Sequence, residues 1–287
     1  AYTSIEILRG GVAFLHSGLD KLDSLRAVLS GYGSCLVAYS GGVDSVLLAK
    51  VAHDELGDRM LAAIADSPSL PRRELMEAKD IATEFGFPLE ILHTSEFANG
   101  DYTNNPVNRC YYCKHELFSR LEPLARERKI RVVAYGENAS DIGDWRPGAQ
   151  AAVEFEVRAP LNEAGLSKKD IREISAHLDL PTADKPQMPC LSSRIPYGEK
   201  VTSEKVGMIE KAECVLRELD FRDVRVRHHM VGPLARIEVA SSELDRLQES
   251  ETSALVYASL KAIGYAQVQT DVKGYRRGNL NPENLTK

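Results

Sequence analysis

The stretch from Leu36 to Ala52 limits the fold of this chain more than any other. Leu36-Val37-Ala38-Tyr39 is a short apolar run of the kind that forms a buried strand, and Val46-Leu47-Leu48-Ala49-Lys50-Val51-Ala52 reads as a helix. Between them lies Ser40-Gly41-Gly42-Val43-Asp44-Ser45, so two glycines occupy a strand-to-helix turn. Glycine lets the backbone turn tightly and approach a ligand with no Cβ in the way. The unpaired amides at the helix start, together with the helix dipole, favour a bound anion. Ser40 and Ser45 add hydroxyl donors. Asp44 alone repels a phosphate, and it makes sense there if it faces a magnesium ion or orders the loop. An ordinary glycine turn explains two adjacent glycines. The six-residue string is more specific, and it is not the lysine-containing phosphate loop of most nucleotide hydrolases.

The rest of the first two hundred residues alternates strand and helix. Apolar positions at helical spacing from Ile7 to Leu29 predict one or two leading helices. Cys35 opens the first strand as a small buried hydrophobe. Leu61–Ala65 predicts a second strand ending at Asp66-Ser67, and Pro71 opens a helix through Phe85. Leu89–Leu92 predicts a third strand, Ile130–Tyr135 a fourth ending at Gly136-Glu137-Asn138, and Val157–Leu161 a fifth. Ser167 caps a helix over Lys168–Leu178, with Asp170 in its first turn. Such alternation predicts an α/β fold with a doubly wound parallel sheet, whose ligands bind beyond the carboxyl ends of the strands. Ser40, Asp66 and Gly136 all fall at those ends, which makes them candidates for nucleotide contact.

The pattern changes near Pro196. Thr202 starts a helix whose apolar side includes Val206, Ile209, Cys214, Leu216 and Leu219. Strands at Val224–His228 and Leu234–Val239, a helical tract over Glu243–Ile263 and a strand at Ala266–Thr270 complete a smaller α+β domain. The expected division is 1–198 and 199–287. Cys214, with no cysteine near it in sequence, is expected in the core of the second domain.

A length of 287 residues with 43% hydrophobic and 27% charged content suits a soluble globular chain. The net charge of -6 argues against a broad nucleic-acid surface. No apolar stretch has the length of a membrane span, and Ala1–Glu6 shows no basic region leading into an apolar run. Five cysteines form an odd, sparse set that fits a reducing cytoplasm with ligating or reactive thiols better than a disulfide scaffold. Cys110 and Cys113 form a Cys-x-x-Cys pair at the start of a helix through Leu121, and Cys190 stands alone. A lone pair is ambiguous. Structural zinc, with His115 or His93 as a further ligand, a redox dithiol and an iron–sulfur site all remain open. Three thiolates leaving one corner open suit a [4Fe–4S] cluster.

The six-residue loop resembles the pyrophosphate loop of the ATP pyrophosphatase (PP-loop) superfamily, which implies cleavage of ATP to AMP and pyrophosphate. Further strings narrow the resemblance: Asp144-Trp145-Arg146-Pro147-Gly148, Ser192-Ser193-Arg194-Ile195-Pro196-Tyr197-Gly198, Arg225-Val226-Arg227 and Gly274-Tyr275-Arg276-Arg277-Gly278. With these the chain resembles the ATP-dependent sulfur transferases of nickel-pincer cofactor biosynthesis, the cofactor of lactate racemase, from about residue 20 to the end. The resemblance implies adenylylation of a carboxylate of a pyridinium biscarboxylate mononucleotide, followed by displacement of AMP by sulfur. One class of that family sacrifices a single cysteine, which becomes dehydroalanine, and lacks the pair matching Cys110 and Cys113. This chain has the pair, so it resembles the class with three cysteines around a [4Fe–4S] cluster, in which sulfide on the open iron is the transferable sulfur. Cys110, Cys113 and Cys190 are then cluster ligands.

The resemblance also implies roles elsewhere. Arg225 and Arg227, on one side of a strand, and Arg276 hold the substrate's phosphate. Glu213 matches a glutamate associated with metal. Lys114 and Arg194 are candidates for contact with the activated substrate or phosphates, against the alternative of surface charges. ATP, magnesium, a sulfide donor and homo-oligomers built on trimer contacts, with hexamers known, belong to the same picture. The rival within the superfamily is a [4Fe–4S]-dependent tRNA thiolase, which needs a wider basic surface than this acidic chain offers. A non-catalytic nucleotide sensor is a second rival, and it would bind ATP without releasing pyrophosphate.

Overall fold

The computed structural model describes Asp20–Asp141, Pro147–His229 and Gly232–Arg276. The expected helix positions from Ile7 to Leu19, the string Asp144-Trp145-Arg146 and the pair Arg277-Gly278 lie outside the described residues. The chain forms two compact units. The first holds the described residues up to Asp66, then Arg72–Thr94 and Cys113–Met188. The second holds Ser67–Pro71, Ser95–Tyr112 and the described residues from Pro189 onward.

A helix, α1, runs to residue 32. After it come β1 (Cys35–Tyr39), α2 (Val43–Leu56), β2 (Met60–Asp66), α3 (Arg72–Glu84) and β3 (Leu89–His93). Next are α4 (Gly100–Thr103), α5 (Arg109–Glu127), β4 (Val132–Tyr135), α6 (Pro147–Glu154), α7 (Pro160–Glu163) and α8 (Lys168–His177). The remaining elements are α9 (Ser203–Glu218), β5 (Arg225–His229), β6 (Leu234–Glu238), α10 (Leu244–Gln248), α11 (Ser250–Ile263) and β7 (Gln267–Thr270).

In the first unit four parallel strands lie in the order β3-β2-β1-β4. The chain steps outward from β1 through β2 to β3, then returns to lay β4 on the other side of β1. This is the expected α/β architecture with a doubly wound parallel sheet. The order reverses between β1 and β4, and a crevice opens at such a point beyond the strand ends. Central β1 is apolar because both its faces are covered, and Cys35, Leu36 and Val37 are fully buried. Cys35 thus takes the expected core role. Helix α2 buries residues on nearly every side, from Val43 and Val46 to Val51 and Ala52, which explains why its sequence shows no polar face.

The fifth strand expected at Val157–Leu161 is a single bridge. Arg158 pairs with Ala134, giving its N–H to Val133 O at 2.8 Å and accepting from Tyr135 N at 2.9 Å. Pro160 has no N–H to extend the ladder and instead opens α7. The start of α8 is as expected. Ser167 and Asp170 form a reciprocal capping box, and Asp170 also takes the Lys21 ammonium at 2.6 Å.

The second unit contains the sheet β5-β6-β7, with β5 antiparallel and β7 parallel to β6. Val226, Ala235, Ile237 and Val239 pack with Leu216, Val256, Leu260 and Tyr265 into one core. The tract expected as one helix over Glu243–Ile263 breaks at Glu249, whose extended backbone (φ -55, ψ 135) separates α10 from α11. Cys214 is exposed, against the expectation of a core position. The buried stripe of α9 runs through Val206, Ile209, Ala212, Glu213 and Leu216, and Cys214 falls off it.

Candidate functional site

The turn after β1 is built by its own residues. Gly41 has φ 71, and a Cβ there would lie 2.8 Å from the Cβ of Ala78, so the loop needs glycine on two counts. The Ser45 hydroxyl accepts from Ser40 N at 3.1 Å and donates to Gly42 O at 3.1 Å, folding the loop back on the first turn of α2. Lys185 reinforces it, donating to Gly41 O at 3.3 Å while pairing with Glu74 at 2.7 Å and Glu77 at 3.1 Å. Gly42 caps α2 with no side-chain acceptor, so the first amides of a 14-residue helix have no capping oxygen. We expect Gly41→Ala to weaken ATP binding about tenfold or more, because the loop must open to relieve both the clash and the strain of about 1–2 kcal/mol. Calorimetric titration with ATP checks this, and wild-type affinity would show that the loop does not touch the nucleotide.

The end of β4 closes on this loop. A Cβ on Gly136 would lie 3.1 Å from the Asp44 Cβ and 3.2 Å from Ser45 N, so glycine allows the two strand ends to meet. Between them lies a cleft of about 200 Å³ lined by Tyr39, Ser40, Asp44, Lys114, Gly136 and Glu137 among others. Lys114 reaches it from α5, its ammonium 4.5 Å from the centre of the Tyr135 ring, and Gly148 leaves room for its methylenes. Asp44 accepts the Lys168 ammonium at 2.5 Å on one oxygen and the Asn138 amide at 3.2 Å on the other. Sequence reading missed Lys168 and Lys185 as site residues, and it placed Asn138 only at the end of the fourth strand. The signal for Lys168 was its place directly after the Ser167 cap, at the start of a helix in an α/β pattern. Asp66 ends β2 as expected, and there it pairs with Arg72 at 2.5 Å and lies 3.6 Å from His93. Asp44 and Glu137 place two carboxylates in the cleft, and a magnesium ion shared with phosphate oxygens would have to take the place of Lys168 or Asn138 on Asp44, which unlike Glu213 is part-exposed.

In the second unit, the short turn Leu191–Arg194 presents Cys190. Arg194 is fully buried and so does not reach solvent itself. Its Nε and Nη2 donate to the two oxygens of Glu213 at 2.9 and 3.1 Å, and its Nη1 donates to the carbonyls of Pro189 and Cys190, the latter at 3.0 Å. Glu213 also accepts from Arg217 at 3.0 Å and from Val226 N at 3.1 Å. Both its oxygens are thus taken by guanidinium groups, an arrangement that positions arginines and does not suit a metal ligand. Arg227 donates to Glu238 at 2.9 and 3.0 Å and to Ser193 O at 3.1 Å. Arg225 stacks 4.9 Å from the centre of the Tyr275 ring. Burial, with Arg194 close by, holds its guanidinium below the usual arginine value. Tyr275 N donates to Val239 O at 2.7 Å, which brings exposed Arg276 to the same end of the sheet as Arg225. His228 and His229 point to opposite faces. His228 turns inward, 3.3 Å from the Tyr265 hydroxyl, and burial pushes its pKa down to about 4.

Cys110 is exposed, and Cys113 and Cys190 are part-exposed. Cys110 and Cys190 both belong to the second unit, while Cys113 follows Cys110 by one turn where α5 enters the first unit. Among the described residues, no group of three or more His, Cys, Asp and Glu side chains is placed to hold a metal ion. A single ion held by three or more side chains needs them converged on one point, whereas a soft ion can be held by two thiolates. A four-iron cube is wider, takes each thiolate at a separate corner and has soft sulfur as its usual donor. No described helix is long and apolar enough to cross a membrane.

No protein-family model matches the chain. It is 44% identical over 262 residues, 91% of this chain and 97% of the relative, to the uncharacterised protein slr1717 of Synechocystis sp.. It is 34% identical over 269 residues, 93% of this chain and 95% of the relative, to the pyridinium-3,5-bisthiocarboxylic acid mononucleotide synthase of Lactiplantibacillus plantarum. One component chain of the glutamine-hydrolysing GMP synthase of Archaeoglobus fulgidus is 29% identical over 201 residues, 65% of each chain.

Proposed function

Because the chain belongs to the family of the pyridinium-3,5-bisthiocarboxylic acid mononucleotide synthase, we propose that it is an ATP-dependent sulfur transferase acting on a pyridinium-3,5-biscarboxylic acid mononucleotide. Each carboxylate attacks the α-phosphorus of ATP, pyrophosphate leaves, and an acyl adenylate forms. Sulfur then attacks the carbonyl carbon, the C–O bond to AMP breaks, and a thiocarboxylate remains. A carboxylate is a poor electrophile at neutral pH, and adenylylation gives its oxygen a good leaving group. The observation that carries this reading is the Ser40–Ser45 loop, with the uncapped start of α2 beside a cleft that holds Asp44 and Lys114.

The loop amides of α2 and the Ser40 hydroxyl hold the departing pyrophosphate. Lys114 and Lys168 place positive charge where the phosphate oxygens gather. Magnesium, when bound through Asp44, neutralises the remaining phosphate charge. Gly136 lines the nucleotide end of the cleft, and Asp66, outside that lining, meets the nucleotide from the end of neighbouring β2. Arg225, Arg227 and Arg276 hold the substrate's own phosphate, with Glu213 and Arg194 as positioning residues behind them. Cys110, Cys113 and Cys190 are the ligands of a [4Fe–4S] cluster, which when bound supplies the transferable sulfur. The tract 199–287 carries the substrate phosphate site and the contacts of a homo-oligomer.

The test is anaerobic turnover with ATP, magnesium, the mononucleotide, iron-loaded protein and a sulfide source, followed by mass spectrometry of product and intact protein. Expected are AMP, pyrophosphate and several thiocarboxylates per chain, with no loss of hydrogen sulfide mass at Cys190. One product per chain with that mass loss would restore a sacrificial cysteine. Thiolation of tRNA without thiolation of the mononucleotide would replace the substrate. ATP binding with no pyrophosphate at all would leave only a sensor.

A further inference from the structure

Arg109 is 3% exposed and begins α5, the residue before Cys110. It donates through Nη1 to the Asn105 side-chain oxygen and to Ser192 O at 3.2 Å, two residues from Cys190. Asn105 in turn donates to Pro196 O at 2.7 Å and to Ile195 O at 3.3 Å, and the Tyr102 hydroxyl meets the Ser192 hydroxyl at 2.8 Å. Leu191 N donates to Ser69 O at 2.8 Å. The turn that carries Cys190 is therefore held on several sides, with Arg109 at its centre and the Tyr197 ring 5.8 Å from the guanidinium.

Two other buried arginines have acidic partners: Arg194 has Glu213, and Arg227 has Glu238. Among the described residues, no carboxylate lies within ion-pair distance of Arg109. An uncompensated buried charge costs several kcal/mol, so a fold that keeps one has an anion to meet it. The Cys190 and Cys110 side chains and the phenols of Tyr102 and Tyr197 lie within electrostatic reach of the guanidinium. The potential counter-anions around it are thus two sulfurs and two phenols. Sulfurs that ligate a metal supply that negative charge.

We propose that Arg109 is a positioning residue of the sulfur centre, the built-in counter-charge to metal-bound thiolates at Cys110 and Cys190. This rests on the reading of those cysteines as ligands. A metal centre with several thiolates carries net negative charge, and a fixed cation beside it favours its assembly and its reduced form. Arg109 also fixes the Cys190 turn through Ser192 O, so its charge and its hydrogen bonds must be separated by the choice of substitution.

The full-length chain, wild type, Arg109→Lys and Arg109→Met, is compared in two ways. The first needs no iron: reduced, metal-free protein is titrated with cadmium alone, and the thiolate-to-cadmium absorption is followed. We expect Arg109→Met to bind cadmium about tenfold more weakly and Arg109→Lys to stay near wild type. The second is anaerobic loading with iron and sulfide, followed by iron analysis and redox titration. Arg109→Met should hold less iron and show a more negative reduction potential, and Arg109→Lys should recover both. Far-ultraviolet circular dichroism and urea unfolding report whether each variant is folded. Equal cadmium affinity and equal potential in wild type and Arg109→Met would overturn the inference, as would loss of both in folded Arg109→Lys, which would make the role steric. A wild type that binds cadmium with the expected dependence on Arg109 but forms no iron cluster would sink the cluster and leave the counter-charge standing. A wild type that binds neither would remove both.

Discussion

Replacing Asp44 by asparagine should lower the rate of pyrophosphate and AMP formation by about a hundredfold or more, with little change in fold. The substitution keeps the shape of the side chain and removes its charge. In the wild type that charge meets the Lys168 ammonium at 2.5 Å, with the Asn138 amide on the other oxygen. Both charged side chains are about a quarter exposed, at 26% and 24%, so the pair adds little stability, about 1 kcal/mol or less. The loss is therefore catalytic. On the proposed reading, magnesium would lose its carboxylate at the start of α2 and keep only Glu137 in the cleft. ATP binding should survive, since a negative charge beside the phosphates has gone. The measurement is pyrophosphate release at saturating ATP beside calorimetric ATP affinity. A variant that releases pyrophosphate at the wild-type rate would take Asp44 out of the reaction.

The largest effect on stability is expected at Glu213. Glutamine there should destabilise the second unit by about 3–5 kcal/mol, because Arg194 would be left buried without its counter-ion. Glu213 is fully buried and accepts four hydrogen bonds, from Arg194 twice, from Arg217 and from Val226 N. The double change Glu213→Leu with Arg194→Met should lose less than Glu213→Gln alone, since it buries no charge. Urea unfolding followed by circular dichroism reads both, and a loss below about 1 kcal/mol for Glu213→Gln would mean that the pair is solvated. Acid adds a second check. Burial pushes the Glu213 carboxyl up, but Arg194 first, then Arg217 and Arg225, hold it below its usual range. A carboxyl depressed in the folded state contributes stability that is complete above its unfolded value, about 4.3, and is lost as the pH falls through the folded one. The gap between wild type and Glu213→Gln should therefore stay constant from neutral pH down to about 5 and close on further acidification.

Much of the nucleotide site is legible in the amino-acid sequence because its parts are local. A four-residue apolar run, two glycines and an apolar helix lie within about one strand and one helix of each other, and backbone chemistry dictates the turn between them. The Ser167–Asp170 box and the Thr202 cap are equally local, each a side chain meeting an amide three residues on. Alternation of strand and helix is enough to predict a parallel sheet, since parallel neighbours require crossovers. The end of β4 is legible for the same reason, as Gly136 closes a run that reads as a strand.

What only tertiary structure decided are the pairings between distant residues. Lys168 meets Asp44 across 124 positions, because the fold brings the starts of α8 and α2 together, and Lys185, in the loop after α8, meets Gly41 across 144. No periodicity encodes such a meeting. Burial of charge was equally hidden. Arg194, Arg225 and Arg227 read as surface or ligand-facing arginines, yet Glu213, Glu238 and backbone carbonyls make it cheaper to keep two of them inside as bonded pairs than to leave those carboxylates alone. Helical spacing alone put Cys214 in the core, whereas the core of the second unit takes Glu213 and leaves its neighbour outside. At Pro160 the residue itself carried the answer, a missing N–H that stops a strand at one bridge, and the apolar run around it hid that signal. Local chemistry determined the loop, the caps and the sheet class of this protein. Its buried ion pairs and the place of Arg109 beside Cys190 were decided by which residues the packed chain brings together and removes from water.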